Sequence, residues 1–325
     1  MKCRKIVCIG LLADYVRAQF EPEYEIHCVS DSSREEVFKA LDISVIAVIA
    51  RGSVFFDGEL MDRAPGLKLV ARTGVGYDSV SIDDATERGL PVTYTPGAMS
   101  RSVGELTLSL ILAACKKLNI WRQALQEADW NLRYLEKSMD LEGKILGIIG
   151  YGRIGRQVRL LSRGFGLRTL VNDPYIDHYS FADDDITFVS LEELLQQADI
   201  ITLHVPLTEE TRGLINRQNI ELIQPGSVLI NTARGPVIES LDLIHKALEK
   251  GPLGAVGMDV FPDEPPDPAH PLLGHARAYV TGHIAARTPL SQQRILETMV
   301  REVRAILNGT QPNLANVVNP EVFED

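Results

Sequence analysis

The stretch LGIIGYGRIG, residues 146–155, is a short hydrophobic run that ends in three glycines spaced G-x-G-x-x-G. This pattern predicts a β-strand that turns directly into a helix. The first glycine would allow the tight turn, the second would let a pyrophosphate approach the backbone, and the third would let helix and strand pack closely. The start of such a helix offers unpaired N–H groups and a positive dipole end to an anion. The predicted cofactor contacts of this unit are Gly150, Gly152, Arg153, Ile154 and Gly155.

An acidic residue follows at the distance expected for a dinucleotide site. The next predicted strand, Thr169–Asn172, ends at Asp173, which is about 20 residues beyond the glycines, where a carboxylate reaches the adenosine ribose 2′-OH. A carboxylate there repels the 2′-phosphate of NADP, so NAD is the expected cofactor. The alternative is that Asp173 only starts a turn before Pro174. By contrast, Gly74-Val75-Gly76 has no third glycine and is not predicted to bind a dinucleotide.

Short strands alternate with helices along most of the chain, which is typical of parallel sheets covered on both faces. The predicted strands are Lys5–Ile9, Tyr24–Val29, Val45–Ile49, Leu67–Ala71, Ile145–Ile149, Thr169–Asn172, Ile200–His204, Val228–Asn231, Gly254–Asp259 and Tyr279–Thr281. Helices are expected to begin near Leu11, Ser33, Asp57 and Ile82, and to span Val103 to about Leu118 and Ser291–Leu307. The pattern indicates two open α/β units, with the default ligand site in the second.

The length and the charge of the chain indicate the number of domains and disfavour some classes of binding partner. The chain has 325 residues, which suits two domains, and its net charge is −11 at pH 7. So acidic a surface disfavours nucleic acid or a membrane as the main partner. The four cysteines form no CxxC pair and have no histidine at metal-ligand spacing, so we expect reduced thiols, no metal site and a cytoplasmic protein. No apolar stretch approaches the roughly 18 residues of a membrane span.

Three polar segments follow predicted strands of the second unit, at the sheet edge where open α/β folds bind ligands. They are NTARG at 231–235, DVFPDEP at 259–265 and TGHIAA at 281–286. With GVGYDS at 74–79, the glycine motif and HVPLTEET at 204–211, they make the chain resemble the D-isomer-specific 2-hydroxyacid dehydrogenases, in particular the short members similar to phosphoglycerate dehydrogenase.

The resemblance implies a fold and a domain organisation. The fold would be α/β, with two Rossmann-like, doubly wound parallel-sheet domains and a cleft between them. The NAD-binding domain, residues 100–287, would be inserted into a flavodoxin-like substrate domain made of residues 1–99 and 288–325. The reaction would be NAD-dependent hydride transfer at C2 of a small 2-hydroxy or 2-keto acid, such as 3-phosphoglycerate, hydroxypyruvate or glyoxylate.

The resemblance also implies three catalytic roles. Arg234 would bind the substrate carboxylate and polarise the carbonyl, a two-point grip that suits its planar guanidinium. His283 would be the general acid in reduction and the base in oxidation. Glu264 would hydrogen-bond His283 and fix its tautomer. Each has a structural alternative, since strand-end arginines and loop glutamates are often only solvated and a lone histidine is often a structural group.

Further contacts follow from the same resemblance. Val205 and Pro206 would form a wall for the adenine, whereas the preceding His204 is expected to be structural. Asp259 would face the nicotinamide amide or ribose. The remaining expected cofactor contacts are Thr232, Ala233 and Ala285. On the substrate side, the N–H groups of Val75 and Gly76 would bind the carboxylate, and Arg51 would either reach a distal phosphate or be a solvated loop residue.

The sequence departs from the usual pattern of the family at two positions. Gly282 stands where the family usually has proline before the catalytic histidine, and this glycine would loosen the backbone there. Tyr94 replaces the usual asparagine before the first interdomain helix.

A homodimer is expected, with Val103–Leu118 and Trp121–Tyr134 as contact surface, although core packing would also explain these aromatic residues. No regulatory domain follows Asp325, so we expect no serine control. The alternative function is an NADH-sensing, corepressor-like binding protein of the same fold.

Overall fold

The computed structural model of the chain describes residues 4–10, 13–29, 33–51, 54–177 and 186–324. Its residues divide into two compact units. Unit 1 contains Met1–Met99 and Thr288–Asp325, and unit 2 contains Ser100–Arg287. Each unit is built on its own parallel sheet.

Unit 1 contains a five-stranded parallel sheet. Its strands are β1 (Lys5–Ile9), β2 (Glu25–Val29), β3 (Val45–Ala50), β4 (Val70–Arg72) and β5 (Val92–Thr93). Their spatial order is β2-β1-β3-β4-β5, the order of flavodoxin-like sheets. Its helices are α1 (Ala13–Phe20), α2 (Arg34–Ala40), α3 (Gly58–Asp62), α4 (Ile82–Glu87) and, from the end of the chain, α10 (Pro289–Leu307).

The strands of unit 1 are hydrophobic on both faces because helices cover both. Val7 and Ile9 of β1 belong to one buried cluster, whereas Ile6 and Cys8 belong to the other, as the alternation of side chains along a strand requires. The second cluster includes Met299 and other apolar residues of α10. The last helix is therefore part of the core of unit 1.

Unit 2 contains a seven-stranded parallel sheet. Its strands are β6 (Ile145–Ile149), β7 (Arg168–Asn172), β8 (Ile186–Phe188), β9 (Ile200–Leu203), β10 (Ser227–Asn231), β11 (Leu253–Met258) and β12 (Ala278–Val280). Their order is β12-β11-β10-β9-β6-β7-β8, so the strand order reverses beside β6, which is where such sheets bind nucleotides. Its helices are α5 (Ser100–Cys115), α6 (Leu118–Gln126), α7 (Arg153–Ser162), α8 (Leu191–Gln197) and α9 (Leu241–Glu249).

The structure confirms the predicted fold class and places most elements within one to three residues of the expected bounds. The helix expected over Val103–Leu118 is interrupted, since α5 ends at Cys115 and α6 begins after Lys117, which has a φ of +54°. Two short strands, β5 and β8, were not predicted. Leu11, the expected start of a helix, lies outside the described residues, and α1 begins at Ala13.

No helix within the described part of the chain is both long and apolar enough to cross a membrane.

Candidate active site

The glycine motif forms the turn between β6 and α7. Gly150 has a φ of +88°, and a Cβ there would lie 2.8 Å from the backbone of His204. A Cβ on Gly155 would lie 2.2 Å from the carbonyl oxygen of Gly150. Gly152 caps α7 in an extended conformation, and a Cβ there would meet nothing within 4 Å. The first and third glycines are therefore required by packing, whereas the second leaves open space before the helix N-terminus.

These features fit a dinucleotide. A pyrophosphate is held by backbone N–H groups at a helix N-terminus, and the open space at Gly152 lies at that position. Ile154 packs partly into the core of unit 2, and Arg153 is exposed. The site could therefore hold the phosphates of NAD by its backbone.

Asp173 follows β7, and its carboxylate is already bound to the backbone on both sides. One oxygen accepts the Tyr151 N–H at 2.8 Å, and the other accepts the Tyr175 N–H at 3.0 Å. The first bond ties Asp173 to the residue between the first two motif glycines. Asp173 therefore stabilises a turn at Pro174 and also lies beside the glycine turn, where an adenosine ribose would lie.

The loop after β9 carries the two residues expected at the adenine. Val205 is half-buried and Pro206 is exposed. The carbonyl of Pro206 accepts a hydrogen bond from the Thr211 hydroxyl at 2.6 Å, and the Thr208 N–H donates to the Thr211 hydroxyl oxygen at 2.8 Å. Nearby, the Tyr175 hydroxyl donates to Glu210, so this loop is also joined to the turn after β7.

His204 lies at the start of this loop and is not suited to proton transfer. Both of its ring nitrogens are buried and have no hydrogen-bond partner among the described residues. Burial lowers the pKa of His204 to about 3. The imidazole is therefore neutral at any ordinary pH, as a structural residue would be.

Arg234 is presented by a tight turn at the end of β10. Asn231 is fully buried, its amide accepts the Ala233 N–H at 3.0 Å, and it donates to the carbonyl of Arg234 at 2.9 Å. The hydroxyl of Thr232 lies 2.9 Å from that of Thr107 in α5, which fixes the turn to the helix. Sequence reasoning missed the role of Asn231, although asparagine at a strand end often forms such turns.

Gly235 brings the turn after β10 against the loop after β11. A Cβ on Gly235 would lie 1.9 Å from the carbonyl of Phe261, so only glycine fits. Phe261 in turn donates its N–H to Glu264 at 3.1 Å. Arg234 and Glu264 are thus held on adjoining loops, and the charge of Arg234 acts on the Glu264 carboxylate.

Glu264 and His283 form a hydrogen-bonded pair. Glu264 Oε2 lies 2.7 Å from His283 Nδ1, and both side chains are partly exposed. Partial burial acts to raise the pKa of the Glu264 carboxyl, but the hydrogen bonds from His283 and the Phe261 N–H outweigh it and lower the pKa below its ordinary value. Glu264 is therefore an ionised acceptor that holds Nδ1, and the other ring nitrogen, Nε2, takes no part in this pair.

Asp259 holds the segment that carries His283. The side chain is fully buried, and its oxygens accept the N–H groups of Ile284 at 2.8 Å and Ala285 at 3.0 Å, and the hydroxyl of Thr281 at 2.6 Å. Its carbonyl accepts the N–H of His283 at 2.6 Å. The resemblance placed Asp259 at the nicotinamide amide or ribose and Ala285 among the cofactor contacts. In the structure, both residues form hydrogen bonds within the segment that carries His283.

Gly282, the residue that departs from the family pattern, has an ordinary backbone conformation. Gly282 lacks a left-handed φ, and a Cβ there would meet nothing within 4 Å. The left-handed residue is His283 itself, with a φ of +55°. The bonds to Asp259 hold the histidine in this conformation.

The candidate residues of unit 1 lie at the carboxyl edge of its own sheet. Arg51 directly follows β3, is partly buried, and donates its N–H to Ile9. Val75 and Gly76 follow β4 and are partly exposed, and Arg72 donates to the carbonyl of Gly76 at 3.1 Å. In the described residues of either unit, no group of three or more His, Cys, Asp or Glu side chains is arranged to hold a metal ion.

Comparison with known proteins shows which family the chain is similar to. Residues 108–285 match the family model described as "D-isomer specific 2-hydroxyacid dehydrogenase, NAD binding domain". The chain is 35% identical over 300 residues to a glyoxylate reductase of Thermofilum pendens, a match that covers 90% of this chain and 86% of that protein. It is 34% identical over 296 residues to a D-3-phosphoglycerate dehydrogenase of Methanocaldococcus jannaschii, with 91% of this chain but 55% of that protein covered.

A solved structure is also similar. It is D-lactate dehydrogenase from Aquifex aeolicus, complexed with NAD and lactic acid, with a TM-score of 0.85, 29% identity, and coverage of 96% of this chain and 98% of that one.

Proposed function

The chain belongs to the D-isomer-specific 2-hydroxyacid dehydrogenases, and from this premise we propose that its Arg234, Glu264 and His283 interconvert a small 2-keto acid and its D-2-hydroxy acid. Family membership confirms the expected oxidoreductase class and the NAD cofactor. It supports an enzyme rather than the alternative of an NADH-sensing binding protein. When bound, the nicotinamide cofactor supplies or accepts the hydride at C2.

The observation that carries the assignment is the convergence of three strand ends. β10, β11 and β12 are neighbours in the sheet, and Arg234, Glu264 and His283 follow them in that order. In reduction, His283 Nε2 gives a proton to the carbonyl oxygen while Glu264 holds Nδ1. Arg234 holds the substrate carboxylate with its two-pronged guanidinium. In oxidation, His283 takes the hydroxyl proton back.

We assign binding of the dinucleotide to unit 2 and further contacts with the substrate to unit 1. The backbone of the glycine turn would hold the pyrophosphate, Asp173 the ribose, and Val205 and Pro206 the adenine. Val75 and Gly76 would add N–H donors for the substrate carboxylate, and Arg51 would bind a distal phosphate if the substrate carries one. Thr232 and Ala233 would contact the cofactor through the backbone of their turn, because the Thr232 hydroxyl is engaged by Thr107.

The test is a substrate panel with two cofactors. The assays in the reductive direction use NADH or NADPH with glyoxylate, hydroxypyruvate or pyruvate, the 2-keto acid that corresponds to lactate. The assay in the oxidative direction uses NAD with 3-phosphoglycerate. We expect turnover of at least one acid, with NADH preferred over NADPH because of Asp173. Replacement of Arg51 by alanine should raise KM for 3-phosphoglycerate and leave KM for glyoxylate unchanged if the phosphate role is right.

The catalytic assignment has its own test. His283→Ala should lower kcat by about 10²–10⁴-fold, the usual contribution of a positioned acid or base, and NADH should still bind. His27→Ala is the control, because His27 is an exposed histidine on β2. Full turnover by the His283 variant would refute the proposal.

The proposal also includes location and assembly. We propose a cytoplasmic protein, since Cys8, Cys28 and Cys115 are all free thiols, as expected in a reducing compartment. We propose a homodimer that uses the exposed apolar side chains around α6.

A further inference from the structure

Two cysteines of unit 1 face each other across neighbouring strands. Cys8 of β1 and Cys28 of β2 are register partners in a parallel pair, so their side chains point to the same face of the sheet. Both contact the cluster that includes Met299 of α10. Cys28 is also near enough to Cys8 to contribute to the raised pKa of the Cys8 thiol.

The backbone spacing is compatible with a covalent bond. Adjacent strands lie about 4.8 Å apart, and disulfides join residues whose Cα atoms are roughly 4.4–6.8 Å apart. Because the two side chains lie side by side on one face of the sheet, rotation about their Cα–Cβ bonds can bring the sulfur atoms within bonding distance. We infer that Cys8 and Cys28 are a site of reversible oxidation, at which a peroxide converts the two thiols into a cross-strand disulfide.

The exposure of the two residues sets the order of the steps. Cys28 is partly exposed and can meet a small oxidant, whereas Cys8 is fully buried. Burial, with the neighbouring Cys28, also raises the pKa of the Cys8 thiol to about 12, so Cys8 does not react first.

The reaction is balanced with one peroxide. The Cys28 sulfur attacks one peroxide oxygen, the O–O bond breaks, and the leaving hydroxide takes the Cys28 thiol proton to form water. Cys28 is then a sulfenic acid. The Cys8 sulfur attacks the Cys28 sulfur, the S–O bond breaks, and the hydroxide leaves with the Cys8 proton as a second water. Two thiols are oxidised to one disulfide, and the peroxide is reduced to two waters.

Cys115 provides an internal control. It is buried in unit 2, and burial raises its pKa to about 11. Its sulfur lies 3.9 Å from the thioether of Met139 rather than beside another thiol of the described residues. If burial alone determined reactivity, Cys8 and Cys115 would respond to an oxidant in the same way. If the pairing of Cys8 with Cys28 determines it, Cys8 is oxidised together with Cys28 and Cys115 is not oxidised.

The experiment uses the full chain with Cys3→Ser, because Cys3 lies outside the described residues. The folded protein is treated with millimolar hydrogen peroxide, denatured, alkylated and analysed by intact mass and peptide mapping. We expect the loss of two hydrogen atoms, a linked pair of peptides that contain Cys8 and Cys28, and alkylation of Cys115 alone. Dithiothreitol should restore three alkylated thiols.

Two further variants keep the inference falsifiable. In Cys28→Ser, Cys8 should remain alkylatable after the same treatment, and in Cys115→Ser the Cys8–Cys28 link should form as before. The linked protein should also melt at a higher temperature, since a cross-link restricts the unfolded chain. Oxidation of Cys28 to sulfinic acid with Cys8 still alkylatable, or cross-linking only after denaturation, would overturn it.

Discussion

His283 adopts a backbone conformation that its side chain disfavours. A φ of +55° costs about 1–2 kcal/mol for a residue with a Cβ, so something must hold it. Asp259 does so, because its carbonyl and carboxylate together accept the N–H groups of His283, Ile284 and Ala285. A buried carboxylate thus determines where the imidazole points.

Replacement of Asp259 by asparagine tests this role. The amide keeps the shape but turns one acceptor into a donor, which would face the Ala285 N–H or the other donors. We expect kcat to fall by about 10²-fold, the usual effect of misplacing a catalytic group by an ångström, with the Kd for NADH nearly unchanged. Asp263→Asn, an exposed acid of the preceding loop, is the control. A weakened Kd with normal kcat would instead support the expected nicotinamide contact.

His204 makes stability depend on pH in a definite direction. Its pKa is about 3 in the folded protein and about 6.5 when unfolded, so below pH 6.5 the unfolded chain binds the extra proton. The free energy of unfolding therefore falls as the pH drops from 6.5 towards 3, by about 1.4 kcal/mol per pH unit from this group. Above pH 7 the group has no effect.

We expect His204→Asn to lose this slope. Urea unfolding of parent and variant at pH 7.5, 6 and 4.5 would compare them, since the other titrating groups cancel in the difference. Relative to the parent, the variant should gain stability as the pH is lowered. The exposed His27→Asn should show no such trend, and a parallel pH dependence of the His204 variant and its parent would contradict the burial argument.

At the scale of elements, two glycines in the turn from β6 to α7 have different roles, one in packing and the other in binding. Gly155 and Gly152 belong to one motif, yet a Cβ at the first would meet backbone at 2.2 Å and a Cβ at the second would meet open space. The structure therefore predicts different consequences for the same substitution.

Gly155→Ala should destabilise unit 2 by about 1–3 kcal/mol, as overpacking usually does. Gly152→Ala should leave the melting temperature unchanged, because its φ of −70° suits alanine, but should raise the Kd for NADH at least tenfold by filling the phosphate approach. Differential scanning fluorimetry and NADH fluorescence titration measure the two effects. Unchanged NADH affinity in Gly152→Ala would show that the phosphates lie elsewhere.

The elements differ in how far the sequence could predict them. Buried strands such as β6 and β10 are continuous apolar runs, and their bounds were found almost to the residue. β5 and β8 have two and three residues, too few to show a period, and they form only by pairing with a longer neighbour. The break after Cys115 depends on the left-handed Lys117, which no local residue preference signals.

The same distinction holds for the candidate site. Arg234, Glu264 and His283 could be named from the sequence because each lies in a segment that follows a predicted strand and resembles a motif of the family. The turn-forming role of Asn231 and the role of Asp259 in holding the His283 segment could not be predicted. Both roles consist of hydrogen bonds to backbone groups that only the folded chain brings near.

At the scale of the whole molecule, one segment of the described chain carries more exposed large apolar side chains than any other segment of its length. Five of the large hydrophobic residues that are most exposed in the described chain lie between residues 118 and 135; they are Leu118, Leu125, Trp130, Tyr134 and Leu135, at 54–81% exposure. Core packing, the alternative explanation for the aromatic residues, is therefore wrong for Trp130 and Tyr134. The Arg133 guanidinium lies 4.8 and 4.5 Å from the centres of these two rings and leaves both rings exposed. The five exposed side chains form the apolar patch of this segment.

Clustered exposed apolar side chains of this kind mark protein–protein contacts, and a symmetric dimer would cover the patch with its own copy. We expect sedimentation velocity to give a particle of twice the chain mass of 35.9 kDa. Leu135→Glu with Trp130→Glu should raise the dimer dissociation constant by at least a hundredfold, because each buries a charge in an apolar interface. Leu160→Glu, at 50% exposure on α7 of the same unit, should leave the mass unchanged. A monomeric parent, or equal loss of dimer in the Leu160 variant, would place the contact elsewhere.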